Sequence, residues 1–271
     1  MKSQTDAVHA LMRHVAQTAI MPRYRNLRSV EIIEKAHEDL VTVADREAEE
    51  MLSDGLAKLA PGVAIVGEEA AHDDPAVMDR LSEECWIIDP IDGTSNFAKG
   101  EGHFGIMIAY AVDGAARSGW IYDPRRDRLC EAYLGEGAYI DGERVTARTS
   151  GVSPPRLAAM TRYMEPDQRA LFDREIAPHY TLATAPGCAA EQYPLTVLAE
   201  HDVAIYERTL PWDHAAGALF LNEAGGTCFR LDGSPYRVDS GRKGMIGAAN
   251  RRLFDDLAER LTAAGYSPAA N

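Results

Sequence analysis

The sequence predicts a mixed protein of the α/β (α+β) class, and two observations favour it. Residues 1–150 hold two helical stripes followed by short, closely spaced strands, and residues 151–271 alternate strands with helices. A chain of 271 residues can bury a sizeable core, as one large domain or as two smaller ones that share a cleft. We therefore expect an N-terminal α+β subdomain over residues 1–150 and a C-terminal α/β subdomain over residues 151–271.

Apolar residues recur at helical spacing from Val8 to Ile20, and Pro22 follows closely as a stop, so an amphipathic helix is expected first. Residues 23–39 are mixed and charged. Glu34, Lys35, His37 and Glu38 fit either a mobile loop or a second short helix. The role of this segment stays open.

A second helical stripe runs from Ala44 to Leu59, with Thr42 at a plausible N-cap. Asp45, at the third helical position, fits either a capping role or the orientation of a catalytic hydroxyl. Residues 63–66 read as a short strand that ends at Gly67-Glu68-Glu69. Acidic residues after a strand are usually only solvated, but a second strand repeats the arrangement.

That second strand is the apolar run of residues 85–88, which should stop at Asp89-Pro90 because proline cannot donate to a sheet ladder. Asp89 and Asp92 would then lie close together, which is unfavourable without a cation between them. Gly93 permits a tight backbone approach, and residues 94–96 can start a helix whose N–H groups suit a phosphate. The alternative is an ordinary loop in which Asp92 or Thr94 caps the helix.

Residues 104–111 are apolar enough for a strand buried on both faces, and strands around Trp120, Leu129 and Ala138 follow at short intervals. A largely antiparallel meander is expected. Residues 150–155 are the predicted subdomain boundary, and alternating strands and helices follow it.

Asp213 lies in the first turn of a small-residue helix closed by Gly225-Gly226, where it could simply match the helix dipole. His214 is expected to be structural, because no second histidine stands at metal-binding spacing. Four acidic residues thus lie at element ends, and carboxylate oxygens are the ligands that Mg²⁺ prefers. These residues are Glu68, Asp89, Asp92 and Asp213.

The net charge of -14 disfavours nucleic acid and anionic membranes as partners. An anionic substrate would need a local positive centre, which divalent cations held by carboxylates supply. The four cysteines lie far apart without a CxxC pair, so buried free thiols are expected. Without an apolar run of about 20 residues or a signal peptide core, a cytoplasmic location is predicted.

Three ordered motifs carry a family resemblance. Gly67-Glu68-Glu69, then the stretch from Trp86-Ile-Ile-Asp89 to Phe97, then Trp212-Asp213-His-Ala-Ala-Gly217 resemble the signatures of the inositol monophosphatase family of Mg²⁺-dependent, Li⁺-sensitive phosphatases. The resemblance implies a layered αβαβα sandwich of the sugar-phosphatase type, a homodimer, and two or three Mg²⁺ per subunit.

The resemblance also implies roles for individual residues. Glu68, Asp89 and the Ile91 carbonyl would hold one metal, and Asp89, Asp92 and Asp213 a second. Thr94, oriented by Asp45, would position the attacking water together with Glu68. The remaining substrate contacts would come from Asp92, Gly93, Thr94, Ser95, Ala189 and Glu207.

The expected substrate is a phosphate monoester, with inositol monophosphate first. In inositol-specific members an acidic residue lies seven positions before the last Asp, where this chain has Tyr206, with Glu207 one position later. Glu191, after the small residues 187–190, is a negative charge that argues against a second phosphate. The alternatives are histidinol phosphate, 3'-phosphoadenosine 5'-phosphate, fructose 1,6-bisphosphate, and a non-catalytic binding protein.

Overall fold

The computed structural model describes residues 2–28, 32–36 and 39–268. The N-terminal half contains α1 (Lys2–Val15, continued by a π-helical turn over Ala16–Ile20), β1 (Ile32–Ala36), β2 (Asp39–Thr42), α2 (Val43–Leu59), β3 (Ala64–Gly67), α3 (Glu68–Asp73), β4 (Cys85–Asp92), α4 (Thr94–Lys99), β5 (Gly105–Val112), β6 (Ala115–Asp123), β7 (Arg128–Tyr133), β8 (Gly137–Ile140) and β9 (Glu143–Val145). The C-terminal half contains β10 (Arg156–Ala159), α5 (Pro166–Leu171), β11 (Thr181–Ala183), α6 (Ala189–Val197), β12 (Val203–Tyr206), α7 (Pro211–Glu223), β13 (Thr227–Phe229), β14 (Met245–Ala248) and α8 (Arg251–Ala263).

Two larger sheets carry the fold. The first has seven strands in the order β3-β4-β5-β6-β7-β8-β9, and only its β3-β4 pair is parallel. The second has five strands in the order β11-β10-β12-β14-β13 and mixes parallel with antiparallel pairs. The predicted meander is therefore confirmed in the first sheet.

Helices separate and cover the two sheets. Because side chains alternate along a strand, Trp86 and Ile88 of β4 pack against α1 and α2, whereas Ile87 faces the opposite side. There α6 and α7 fill the space between the sheets, since the cluster that holds Ile87 also holds Phe220 of α7. Helix α8 packs on the far face of the five-stranded sheet. The layers follow the order αβαβα, as expected.

Strand β4 does not stop at Asp89-Pro90 but continues to Asp92, so that prediction was wrong. Asp89 pairs with Met107 and Asp92 with Gly105, which leaves Pro90 and Ile91 opposite one residue. This is a bulge, where proline needs no ladder partner. Residues three apart on a regular strand face opposite sides, and the extra residue brings both aspartates to the same side.

The segment from 23 to 39 also differs from expectation. Glu34 and Lys35 lie in β1, which pairs antiparallel with β2, and so belong neither to a helix nor to a loop. The competing signal was the Ile32-Ile33 pair, since β-branched residues favour strands. His37 and Glu38 lie outside the described residues.

The chain passes from the first sheet to the second across the predicted boundary at 150. Asp202 anchors this passage, because its carboxylate accepts hydrogen bonds from the Ser150 and Arg156 amides at 2.7 and 2.8 Å. Helix α7 packs on strands of both sheets, so the two halves share one core. Their division into two subdomains stays a prediction.

The four cysteines are free and buried, as expected. Within the described residues no helix is long and apolar enough to cross a membrane.

A partly buried pair of His9 and Glu131 joins α1 to β7. His9 Nε2 lies 2.7 Å from Glu131 Oε2, and the Tyr133 hydroxyl donates to the same oxygen at 2.8 Å. Burial opposes ionisation of Glu131, but the hydrogen bonds from His9 and Tyr133 outweigh it and lower its pKa. The pair therefore stabilises the ionised form of this carboxyl group.

Glu131→Gln should lower the free energy of unfolding by roughly 1–2 kcal/mol at pH 7. Because the folded pKa is depressed, this contribution exists above the unfolded pKa of about 4.3 and is lost as pH falls through the folded value. Urea midpoints of the variant and the wild type should therefore differ at pH 7 and converge once pH falls below the folded pKa. The exposed Glu136→Gln is the control, and equal midpoints at pH 7 would refute the prediction.

Candidate metal-binding active site

Three aspartates converge at one point in the fold. Asp89 and Asp92 come from the end of β4, and Asp213 comes from the first turn of α7. Each offers a carboxylate oxygen, and these oxygens all lie within 4.8 Å of one another. Asp89 and Asp92 are only 1% and 8% exposed. We call these three residues the acidic cluster.

The acidic cluster lies in a cleft of about 840 Å³, including space open to solvent. Both halves of the chain line it. Residues of the first half are Glu68, Asp89, Ile91, Asp92, Gly93, Thr94 and Ser95. The structure thus brings the predicted metal ligands and phosphate-facing residues to a single cavity.

The electrostatics of the acidic cluster favour a cation. Burial raises the pKa of Asp92 to about 8, with a further contribution from the charge of Asp213. Burial also raises the pKa of Asp89 well above its ordinary range, and the nearby Glu68 carboxylate adds to the effect. Charged carboxylates at these distances repel one another, and an all-oxygen donor set suits a hard divalent ion. The residues present therefore fit Mg²⁺.

Thr94 is tied to Asp45, as the second interpretation of Asp45 required. Thr94 Oγ1 lies 3.0 Å from Asp45 Oδ1 and 2.9 Å from the Ile91 carbonyl oxygen, so its proton can go to either acceptor. The other Asp45 oxygen accepts from the amide and hydroxyl of Thr42 and completes the cap of α2. Burial raises the pKa of Asp45 to about 7. The Asp45 carboxylate thus both caps α2 and orients the Thr94 hydroxyl.

Gly93 makes the turn between the acidic cluster and α4. Its φ of +89° belongs to the left-handed region, and a Cβ there would lie 2.8 Å from both the Cys188 side chain and the His103 carbonyl oxygen. Gly93 itself is the N-cap of α4, so neither Asp92 nor Thr94 caps this helix as the loop alternative proposed. Glycine is required here by conformation and by space.

The first residues of α6 pack directly on the acidic cluster. The Ala190 amide donates to Asp92 Oδ2, and a backbone hydrogen bond from Ala189 also opposes the rise of the Asp92 pKa. Glu207 lines the cleft too, but its carboxylate accepts hydrogen bonds from Tyr266 at 2.5 Å and from Gln168 at 3.1 Å. A role for Glu207 in substrate binding stays a prediction.

Glu191 does not present its charge to the cleft. Its carboxylate is buried and pairs with Arg126, at 2.8 Å, and with Arg128. The charge of Glu191 therefore does not disfavour a second phosphate in the cleft, contrary to expectation. Glu191 also forms an acidic group with His103 and Asp123, and the same two arginines pair with Asp123. These guanidinium groups neutralise the charge that a cation would need.

Sequence reasoning missed a group of basic and aromatic side chains that line the cleft. The guanidinium carbons of Arg162 and Arg208 each lie 4.7 Å from the centre of the Tyr163 ring. Arg208 also lies 3.7 Å from the Asp213 carboxylate and opposes the rise of the Asp92 pKa. The available signal was the position of Arg208 two residues after the end of strand β12, next to Glu207.

His214 is structural, as expected. Burial lowers its pKa to about 4, so the ring is neutral at physiological pH. Nε2 lies 2.9 Å from the Arg208 carbonyl oxygen, which can only accept, so Nε2 carries the proton. Nδ1 then accepts from the Tyr193 hydroxyl at 2.8 Å. The ring fixes the start of α7, and with it Asp213.

A layered αβαβα fold with carboxylates gathered at strand and helix ends favours the class of metal-dependent enzymes that act on small anionic molecules. The comparison with family models gives the specific group. The model of the inositol monophosphatase family matches residues 1–266. The chain belongs to this family.

Individual relatives support the family membership. An inositol-1-monophosphatase of Bacillus subtilis is 33% identical over 223 residues, which cover 80% of this chain and 83% of that protein. A histidinol-phosphatase of Chlorobaculum parvum is 30% identical over 230 residues, or 84% of this chain and 85% of the relative. The solved structure of a Thermotoga maritima IMPase has a TM-score of 0.81 at 26% identity and covers 98% of both chains.

Proposed function

We propose that this protein hydrolyses a phosphate monoester in a Mg²⁺-dependent reaction, with inositol monophosphate as its substrate. The observation that carries the proposal is the convergence of three carboxylates within 4.8 Å at the floor of a cleft lined by both halves of the chain. The family membership supports the phosphatase activity, and the Bacillus subtilis relative supports the choice of substrate.

In this proposal Glu68, Asp89, the Ile91 carbonyl, Asp92 and Asp213 hold two or three Mg²⁺ per subunit. When bound, these ions supply Lewis acidity, neutralise the phosphate charge and stabilise the leaving alkoxide. The acidic cluster would otherwise repel a dianionic ester. Because the carboxylates lie together, they can hold the cations that make binding of such a substrate possible.

The remaining residues position the reactants. Thr94, bonded to Asp45, and Glu68 hold the attacking water, while Gly93 and Ser95 line the place of the phosphate at the start of α4. Arg208 lies beside Asp213 and adds a positive charge on the substrate side. Asp45 accepts a hydrogen bond from the Thr94 hydroxyl at 3.0 Å and so orients that hydroxyl.

Two alternatives differ in charge from inositol monophosphate. Histidinol phosphate carries an ammonium group, which Arg162 and Arg208 would repel. The similarity to a relative named histidinol-phosphatase supports it as a candidate substrate. A bisphosphate such as fructose 1,6-bisphosphate or 3'-phosphoadenosine 5'-phosphate is the second candidate, because these two guanidinium groups could bind its second phosphate. The pairing of Glu191 with Arg126 and Arg128 also favours a bisphosphate, because no unpaired negative charge of Glu191 would repel the second phosphate.

A phosphate-release panel with Mg²⁺ should rank inositol 1-phosphate above histidinol phosphate by at least about tenfold in kcat/KM, because of repulsion between cations. Arg208→Gln should narrow this ratio, whereas the exposed Arg174→Gln should leave it unchanged. The proposal of inositol phosphate fails if that compound is among the poorest substrates. A best rate with a bisphosphate would select the second candidate.

A homodimer, inhibition by Li⁺ and a cytoplasmic location belong to the same proposal. Light scattering tests the dimer, and repetition of the substrate panel with Li⁺ tests inhibition. A non-catalytic binding role would gain support only if the purified protein released phosphate from no compound in the panel.

A further inference from the structure

Glu49 of α2 is a buried acidic residue outside the acidic cluster. Only 6% of its surface is exposed. Its two carboxylate oxygens accept hydrogen bonds from the backbone amides of Glu69 and Ala70, both at 2.8 Å. Amides in the first turn of a helix have no partner within the helix, so Glu49 supplies the partners that α3 lacks.

Gly67 gives this carboxylate the space it needs. A Cβ at Gly67 would lie 2.3 Å from the Glu49 carboxyl carbon and 2.4 Å from one of its oxygens. The carboxylate therefore packs directly over the backbone turn that joins β3 to α3. This close fit fixes the turn from the side of α2.

Helix α3 depends on such an anchor. It has six residues, and helices this short are not stable without tertiary contacts. Glu68 is its first residue and directly precedes the first amide that Glu49 binds. At the other end, the pair between Arg46 and Asp73 is exposed and contributes little. Glu49 therefore anchors the start of the backbone segment that carries Glu68, while Ala71 anchors the helix in the core.

Glu68 in turn faces the acidic cluster. It lines the cleft, and its charge is the largest contribution after burial to the raised pKa of Asp89. A change in the backbone of α3 would move this carboxylate relative to Asp89.

We propose that Glu49 is a positioning residue that holds Glu68 against the acidic cluster and so sets the affinity of the site for its divalent cation. This inference rests on the metal site of the proposed function. Outer contacts that orient a ligand commonly change metal affinity by 10- to 100-fold when they are lost. Glu49→Gln replaces one acceptor oxygen by an amide group that faces a backbone donor.

The test measures the affinity of metal-free protein for Mn²⁺ by titration calorimetry and by electron paramagnetic resonance. Glu49→Gln should weaken the affinity of the site by about tenfold. The matched control is Glu50→Gln, an exposed residue next to it on α2, which should stay within about twofold of the wild type. An unchanged affinity in Glu49→Gln would overturn the inference.

A double-mutant cycle separates positioning from general destabilisation. If Glu49 acts through Glu68, adding Glu49→Gln to a Glu68→Gln protein should weaken Mn²⁺ binding no further. A full tenfold loss in both backgrounds would contradict the inference.

If circular dichroism shows that Glu49→Gln does not fold, Gly67→Ala replaces it in the test. The Cβ of the new alanine would displace the Glu49 carboxylate and should weaken Mn²⁺ binding similarly. Absence of Mn²⁺ binding by the wild type would instead refute the metal site itself.

Discussion

Asp92→Asn should lower kcat by about 10³-fold or more while the metal-free protein becomes more stable. Asp92 belongs to the acidic cluster and also accepts a hydrogen bond from the Ala190 amide of α6. Burial and the charge of Asp213 raise its pKa to about 8, so its ionised form is disfavoured in the folded protein. An asparagine removes that charge with little change of volume. Activity and stability should therefore change in opposite directions.

The measurements are phosphate release with saturating Mg²⁺ and the melting temperature in EDTA. Asp167→Asn, an exposed residue of α5, is the control and should leave both unchanged. A catalytic loss accompanied by a lower melting temperature would point to misfolding. An Asp92→Asn variant with more than a tenth of wild-type activity would contradict the assigned role.

Removal of Mg²⁺ should abolish activity and make stability strongly dependent on pH. Burial raises the pKa of Asp45 to about 7 and that of Asp92 to about 8, both well above their ordinary value of 3.8. Between pH 4 and pH 8 the folded state therefore binds more protons than the unfolded state. Stability then falls as pH rises through this window, which is the opposite of an ordinary paired carboxylate.

Added Mg²⁺ should reverse this loss at high pH. At 100 times its dissociation constant a ligand contributes about 2.7 kcal/mol, which corresponds to an increase in melting temperature of about 5–10 °C for a chain of this size. The increase should be clear at pH 8 and much smaller at pH 5, where protons replace the cation. An equal increase at both values, or a melting temperature in EDTA that rises with pH, would refute this electrostatic description.

Much of the fold could be predicted because its signals are local. The apolar run of residues 104–111 and the closely spaced strands that follow predict the meander, and the capping pattern from Thr42 to Asp45 predicts the start of α2. Strand β4 was misjudged at Pro90 because a bulge depends on the partner strand. Sequence periodicity alone does not show where two strands shift their register.

The candidate site also has a part that the sequence predicted and a part that it did not. The acids at element ends were identified because their types and positions suggested one chemistry, and the structure places them together. The contact of Arg208 with Tyr163, the neutralisation of Glu191 by Arg126, and the anchoring of α3 by Glu49 join residues far apart in the chain. Such pairs depend on how the layers pack, which a single sequence does not reveal.

Anomalous diffraction from crystals grown with Mn²⁺ tests the central claim most directly. We expect an anomalous peak among the carboxylate oxygens of Asp89, Asp92 and Asp213, and this peak should weaken or disappear in Asp92→Asn. A peak at His103, Asp123 and Glu191 instead, or none between the three aspartates at saturating Mn²⁺, would contradict it.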